Sequence, residues 1–86
     1  MNRQARVVTD DPKCWRDHGN VSLLEAARRE ARSHCRIHQK DTPCIIPVEV
    51  RCADTSTIAP AVFQVQVDSV ATVLNPRLDT DSRESA

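Results

Sequence analysis

Two segments in the second half of the chain alternate between apolar and polar residues, and this alternation limits the available folds more than any other feature. In the first segment the apolar residues are Cys44, Ile46, Val48, Val50 and Cys52. In the second, which runs from Ala61 to about Leu74, they are Ala61, Phe63, Val65, Val67, Ala71 and Val73, with Gln64, Gln66 and Asp68 between them. A period of two is typical of strands that bury one face. The pattern therefore predicts two half-buried strands that pair as an antiparallel hairpin.

The first of these strands contains a proline, and a long connection follows it. Pro47 has no backbone N–H to donate to a neighbouring strand, so we expect this strand to lie at an edge or to turn that position outward. The connection, residues 53–60, is polar and too long for a two-residue turn. It is therefore predicted to project as a loop.

The segment from Ser22 to about His38 has the pattern of an amphipathic helix. Ser22 and Glu25 fit a capping box, which specifies the helix start. At about 100° per residue, one side contains Leu23, Leu24, Ala27, Ala31, His34, Cys35 and His38. The neighbouring side contains Arg28, Arg29, Arg32, Arg36 and Lys40, here called the basic stripe. Because Ala27, Ala31 and Cys35 on the apolar side are small, the helix can approach its neighbour closely, and a sheet is the natural surface.

Together these elements predict one α+β domain over residues 1–75, with a helix packed on a small antiparallel sheet in the order β-α-β-β. A chain of 86 residues has room for a single domain. Residues 6–9 are predicted to form a short first strand, and Trp15 to close one end of the core. Residues 76–86 have no periodicity, so we expect a flexible, disordered tail. The predicted core consists of Leu24, Ala27, Ala31, Ile46, Val48, Val50, Phe63, Val65 and Val67.

The composition argues against several kinds of partner. Twelve Lys and Arg balance twelve Asp and Glu, so the chain has no overall attraction for nucleic acid or an anionic membrane. Trp15 and Phe63 are too few to form a base-stacking platform. No apolar run reaches the roughly 18 residues that span a membrane, and the first residues do not resemble a secretory signal. We therefore expect a cytoplasmic protein whose four cysteines are reduced.

A zinc-stabilised domain is one alternative. The candidate ligands are Cys14, His18, His34 and His38. Two of them are histidines four residues apart on one helix side, a spacing that can present two imidazoles to one ion. No Cys-x2-Cys pair occurs, however, and the other three cysteines fall on faces predicted to be buried. The sequence therefore favours core thiols, with no metal and no cofactor.

The chain shows no motif that indicates catalysis. Cys14 and His18 can be drawn as a nucleophile with its base, an arrangement that also needs a third, orienting group and usually a pocket. Gly19 is the single glycine, so neither a nucleophile elbow nor a phosphate-binding loop is present. We expect no enzymatic activity.

The basic stripe is the most specific surface feature. Residues 22–40 carry a net charge of +3, whereas residues 41–75 carry −3. Such a stripe is either a solvated helix face with local ion pairs, or a surface that binds carboxylates or phosphates in the planar fork of arginine. The predicted partner-binding residues are Arg28, Arg29, Arg32, Arg36, Lys40 and, in the connecting loop, Ile58. We expect a protein partner rather than nucleic acid, because domains that bind nucleic acid usually have a higher net positive charge.

In size and in the order of helix then strands over residues 22–74, the chain resembles small accessory proteins of bacteriophages and mobile elements, among them anti-CRISPR inhibitors of multi-subunit RNA-guided complexes. The resemblance implies a non-catalytic inhibitor that covers a surface of a host defence complex in the bacterial cytoplasm. It assigns no role to any single residue. A nucleic-acid-binding accessory protein and a zinc-stabilised domain are the alternatives, and a dimer formed through a sheet edge is compatible with all three.

Overall fold

The computed structural model describes residues 2–9, 15–53 and 59–76. Its elements are β1 (Arg3–Val7), β2 (Arg16–Gly19), α1 (Leu23–Ile37), β3 (Cys44–Cys52), β4 (Ala61–Val67) and β5 (Ala71–Val73). The strands of this part of the chain form one antiparallel sheet in the order β2-β1-β3-β4-β5. The helix α1 packs across one face of the sheet. The predicted α+β architecture is confirmed.

The sheet has more strands than the sequence predicts. β1 begins at Arg3 and ends at Val7, earlier than the predicted strand over residues 6–9. β2 has the sequence RDHG, which lacks alternating apolar residues, so only its pairing with β1 reveals it. The predicted strand from Ala61 onward divides into β4 and β5, because the chain turns between them and the amide of Asp68 donates to the carbonyl of Val70 at 2.9 Å. The observed order is therefore β-β-α-β-β-β.

The hairpin of β3 and β4 forms as predicted, with Val48 opposite Phe63. β3 is the central strand, so the edge position is wrong, and Pro47 follows the other predicted alternative: it lies on the outward face between the buried Ile46 and Val48. The carbonyl of Pro47 accepts a hydrogen bond from the amide of Val8 at 2.9 Å, and β1 ends one residue earlier, at Val7. The N–H that proline lacks would have donated back to Val8. Pro47 therefore lies where the pairing of β1 with β3 ends.

Specific hydrogen bonds define both ends of α1. The Ser22 Oγ accepts a hydrogen bond from the amide of Glu25 at 3.0 Å, which confirms the predicted cap. At the other end, Gln39 has a φ of 50°, and the amide of Lys40 donates to the carbonyl of Cys35 at 3.0 Å. This is the pattern of a Schellman motif. The motif fixes the point at which the chain leaves the helix.

The core lies between α1 and the sheet. Its largest fully buried side chains are Val7, Val48, Val50, Phe63 and Val65. Ala27 and Ala31 are fully buried, so the helix backbone lies close to the strands, as the small residues predict. The predicted core is confirmed except that Leu24 is only partly buried. His38 is exposed, contrary to the prediction for that helix side, because α1 ends at Ile37 and His38 is its C-terminal cap.

Some predictions fall on residues outside the described part of the chain. These are Ile58 in the connecting loop, Cys14 in the candidate zinc set and nearly all of the predicted tail. In the described ranges, α1 has neither the length nor the apolar content that a membrane crossing requires.

Candidate functional site

A groove of about 440 Å³ lies between α1 and the turn that joins β4 to β5. On the helix side it is lined by Arg28, Arg32, Arg36 and Lys40, and on the turn side by Asp68, Ser69 and Val70. We call this surface the basic groove. Arg28, Arg32 and Arg36 are spaced four residues apart, which places them along one ridge of α1, and Lys40 follows where the chain leaves the helix. The structure therefore brings most of the predicted basic stripe together in one concave surface.

At the end of the stripe nearest the start of α1, the arginines are already engaged within the protein. The carboxylate of Glu25 accepts from the Nη1 of Arg28 at 3.2 Å and from the Nε of Arg29 at 2.9 Å. The Nε of Arg28 also donates to the carbonyl of Ala71 in β5 at 2.9 Å. Arg29 does not line the groove. This end of the stripe therefore consists of local ion pairs and a contact that supports the fold.

Towards the end of α1, the cations of the stripe are available to bind a partner. Arg32, Arg36 and Lys40 are exposed, and none of them forms an ion pair with a residue in the described ranges. Across the groove, Asp68 contributes a single carboxylate, and Val70 is 61% exposed. The groove thus combines uncompensated positive charge with an exposed apolar side chain.

Trp15 lies on the face of the sheet that α1 leaves open, and the prediction that it closes one end of the core is wrong. The guanidinium carbons of Arg6 and Arg51 lie 4.3 Å and 4.0 Å from its ring centroid. Arg6 also pairs with Glu49 at 2.9 Å, and Arg51 donates to the side chain of Gln4 at 2.9 Å. Trp15 directly precedes β2, so strand alternation places it on the outer face. The polar groups around Trp15 therefore bind one another and are not available to a partner.

A polar cluster around the buried Glu30 joins β2 to α1, and the sequence pattern does not predict it. Glu30 is only 4% exposed, and its Oε1 lies 2.8 Å from the Nε2 of His18 and 3.5 Å from the Nε of Arg16. Glu30 lies on the same helix side as Ala26 and Ala27, and this position is the feature of the sequence that indicates its burial. The partners could not be found, because β2 has no strand pattern in the sequence.

The three predicted zinc ligands that the structure describes, His18, His34 and His38, are not grouped as a metal site. His18 contacts Glu30, whereas the buried His34 packs against His38 with 4.3 Å between ring centroids. Among residues 2–9, 15–53 and 59–76, no three His, Cys, Asp or Glu side chains are grouped as a metal ion requires. The zinc alternative therefore has no ligand set in the described part of the chain.

Cys35, Cys44 and Cys52 are free thiols: Cys35 is buried on α1, and Cys44 and Cys52 are partly buried at the two ends of β3. The sulfurs of Cys35 and Cys44 are 3.2 Å apart, and Cys52 accepts a hydrogen bond from Arg3. Burial, together with the contact from Cys44, raises the pKa of Cys35 from 9.0 to about 11. Cys35 also lines the basic groove.

Four of the predicted partner-binding residues, Arg28, Arg32, Arg36 and Lys40, line the groove. Of the other two, Arg29 pairs with Glu25, and Ile58 is outside the described ranges.

No protein-family model, curated protein or solved structure matches the chain.

Proposed function

We propose that the chain is a non-enzymatic binding protein whose basic groove takes an acidic segment of a partner protein. The observation that carries this proposal is the line of Arg32, Arg36 and Lys40, exposed and without ion pairs to described residues. Charges of one sign held along one side of a groove attract a ligand of the opposite sign. Arginine is suited to carboxylates because its guanidinium binds them in a bidentate fork.

The other features of the groove favour a protein over nucleic acid. Val70 is exposed in the groove wall, and an apolar contact beside arginines is typical of protein interfaces. Asp68 in the same wall would repel a continuous line of phosphates, but a peptide can place a basic or neutral residue there. The chain as a whole is neutral, whereas nucleic-acid-binding domains usually have a net positive charge.

The biological role that we propose is inhibition. The resemblance in size and element order to phage and mobile-element inhibitors suggests that the partner belongs to a host RNA-guided defence complex in the bacterial cytoplasm. Such a complex contains surfaces that bind nucleic acid or recruit a nuclease, and a bound protein of this size would cover one of them. Inhibition would then require a stable complex and no chemical step.

The proposal is tested with purified multi-subunit RNA-guided complexes and a labelled target DNA duplex. If the proposal is right, the chain forms a stoichiometric complex with one of the effectors and reduces its binding to the DNA, and dissociation restores the activity of the effector. Binding of the chain to the DNA alone, with an affinity that falls steeply with salt, would instead identify a phosphate-binding protein. Absence of any effect on the whole panel would contradict the inhibitory role.

A further inference from the structure

Two thiols from different elements touch each other at the end of the basic groove. Cys35 lies in the last turn of α1, and Cys44 is the first residue of β3. Their sulfurs are 3.2 Å apart, and a disulfide bond is about 2.05 Å long, so bonding requires them to approach by only about 1.2 Å. We propose that this pair is a reversible oxidation site at which a peroxide converts the two thiols to a disulfide. The inference does not depend on what binds the groove.

The surroundings of the two sulfurs assign them different roles. Cys44 lines a shallow surface depression with Pro43, Ile45 and Gln66, so a small oxidant can reach it from solvent. Cys35 is only 6% exposed, and burial raises its pKa to about 11. Because the oxidant reaches Cys44 first and Cys35 is shielded from solvent, Cys44 is the attacking group and Cys35 is the thiol that closes the disulfide in the second step.

The chemistry needs no further reactant. The Cys44 thiolate attacks one oxygen of hydrogen peroxide, forming an S–O bond while the O–O bond breaks, and hydroxide leaves with its electron pair. The resulting sulfenic acid is attacked at sulfur by Cys35; the S–S bond forms, the S–O bond breaks, and the Cys35 proton leaves with the oxygen as water. Overall, two thiols lose two electrons and two protons, and one peroxide becomes two waters.

Cys52 cannot take part in this reaction from its place in the fold. It lies at the opposite end of β3 from Cys44, eight residues along the strand, and at about 3.3 Å per residue the separation is about 26 Å. Its sulfur also accepts a hydrogen bond from Arg3. Cys52 is therefore the natural internal comparison for the reactive pair.

The disulfide would join the end of α1 to the start of the central strand. A covalent link between residues 35 and 44 limits the conformations of the unfolded chain, which stabilises the fold. For a domain of this size, we expect the oxidised form to melt at least about 5 °C above the reduced form.

The test uses the full chain as the double variant Cys14→Ser, Cys52→Ser, in which only the proposed pair remains. After treatment with hydrogen peroxide, we expect the intact mass to fall by two hydrogen atoms, both sulfurs to resist alkylation, and dithiothreitol to reverse both changes. The matched variant that also carries Cys44→Ser should show no such mass loss and no rise in melting temperature.

Peptide mapping of the oxidised natural sequence provides a second measurement that does not depend on any variant folding. A peptide that links Cys35 to Cys44 is expected. Oxygen additions without a disulfide, links that run mainly between two chains, or a predominant link to Cys14 or Cys52 would overturn the proposal.

Discussion

The side chain of Arg28 donates a hydrogen bond from its Nε to the carbonyl oxygen of Ala71 at 2.9 Å, which joins α1 to the last strand of the sheet. Arg28 thus supports the fold as well as lining the basic groove. Arg29, its neighbour, pairs with the same Glu25 carboxylate but has no hydrogen bond to β5 within the described ranges. A comparison of the two arginines therefore separates the contribution of the strand contact to the free energy of unfolding from that of the local ion pair.

We predict that Arg28→Ala lowers the free energy of unfolding by about 1 kcal/mol more than Arg29→Ala does, since a hydrogen bond of this kind contributes about that amount. Both variants lose an ion pair with Glu25 that is worth only a few tenths of a kcal/mol. Urea denaturation of the two variants measures the difference. Equal losses would show that the Ala71 contact contributes nothing.

Phe63 is the largest fully buried side chain, and it lies on β4 directly opposite Val48. We predict that Phe63→Ala lowers the free energy of unfolding by about 3 kcal/mol, because it leaves a cavity that the neighbours cannot fill. The matched control is Val62→Ala, which removes an exposed side chain from the other face of the same strand and should cost under about 1 kcal/mol. If both variants unfold at the same urea concentration, the register of β4 is wrong.

Glu30 connects α1 to β2 through His18 and Arg16. We predict that Glu30→Ala costs about 2 kcal/mol in unfolding free energy, because the nearly buried side chain of His18 loses its hydrogen-bond partner. Glu25→Ala, a change of the same kind at a more exposed carboxylate on the same helix, should cost much less. Amide hydrogen exchange provides a second readout. Faster exchange confined to β2 and its neighbour β1 is expected, and unchanged exchange there would argue against the cluster as the link between the elements.

The sequence predicts those parts of the fold that depend on local pattern. The alternation around Val48 and Phe63 places both strands of the hairpin and their buried faces correctly, and the small residues Ala27 and Ala31 correctly indicate a helix lying close to a sheet. Period-two burial and helical periodicity are properties of short segments, so they can be seen without knowing the fold.

The features of the fold and of the site that the sequence does not predict depend on contacts between segments that are distant in the chain. β2 has no apolar pattern, and its place comes from pairing with β1, so the face occupied by Trp15 was not predictable. Arg28 and Arg32 have equivalent places in the stripe, yet Arg28 reaches the carbonyl of Ala71. Only the position of β5, which is tertiary information, reveals which cations of the stripe are engaged and which are available.

The central claim is that the available cations of the groove bind carboxylates of a partner. Its most direct test is the affinity of the chain for a fluorescent poly-glutamate peptide, measured by anisotropy at fixed ionic strength. The variant is Arg32→Glu with Arg36→Glu, and the matched control is Arg77→Glu with Arg83→Glu, which makes the same change in net charge at residues beyond the described ranges. Melting curves of the groove variant should stay within a few degrees of those of the natural sequence, because neither of its arginines pairs with a described residue.

In that measurement, the groove variant should bind the peptide at least tenfold more weakly, a change of about 1.4 kcal/mol, while the control keeps most of its affinity. Equal affinities for the two variants, or a loss confined to the control, would contradict the assignment of the basic groove as the binding site.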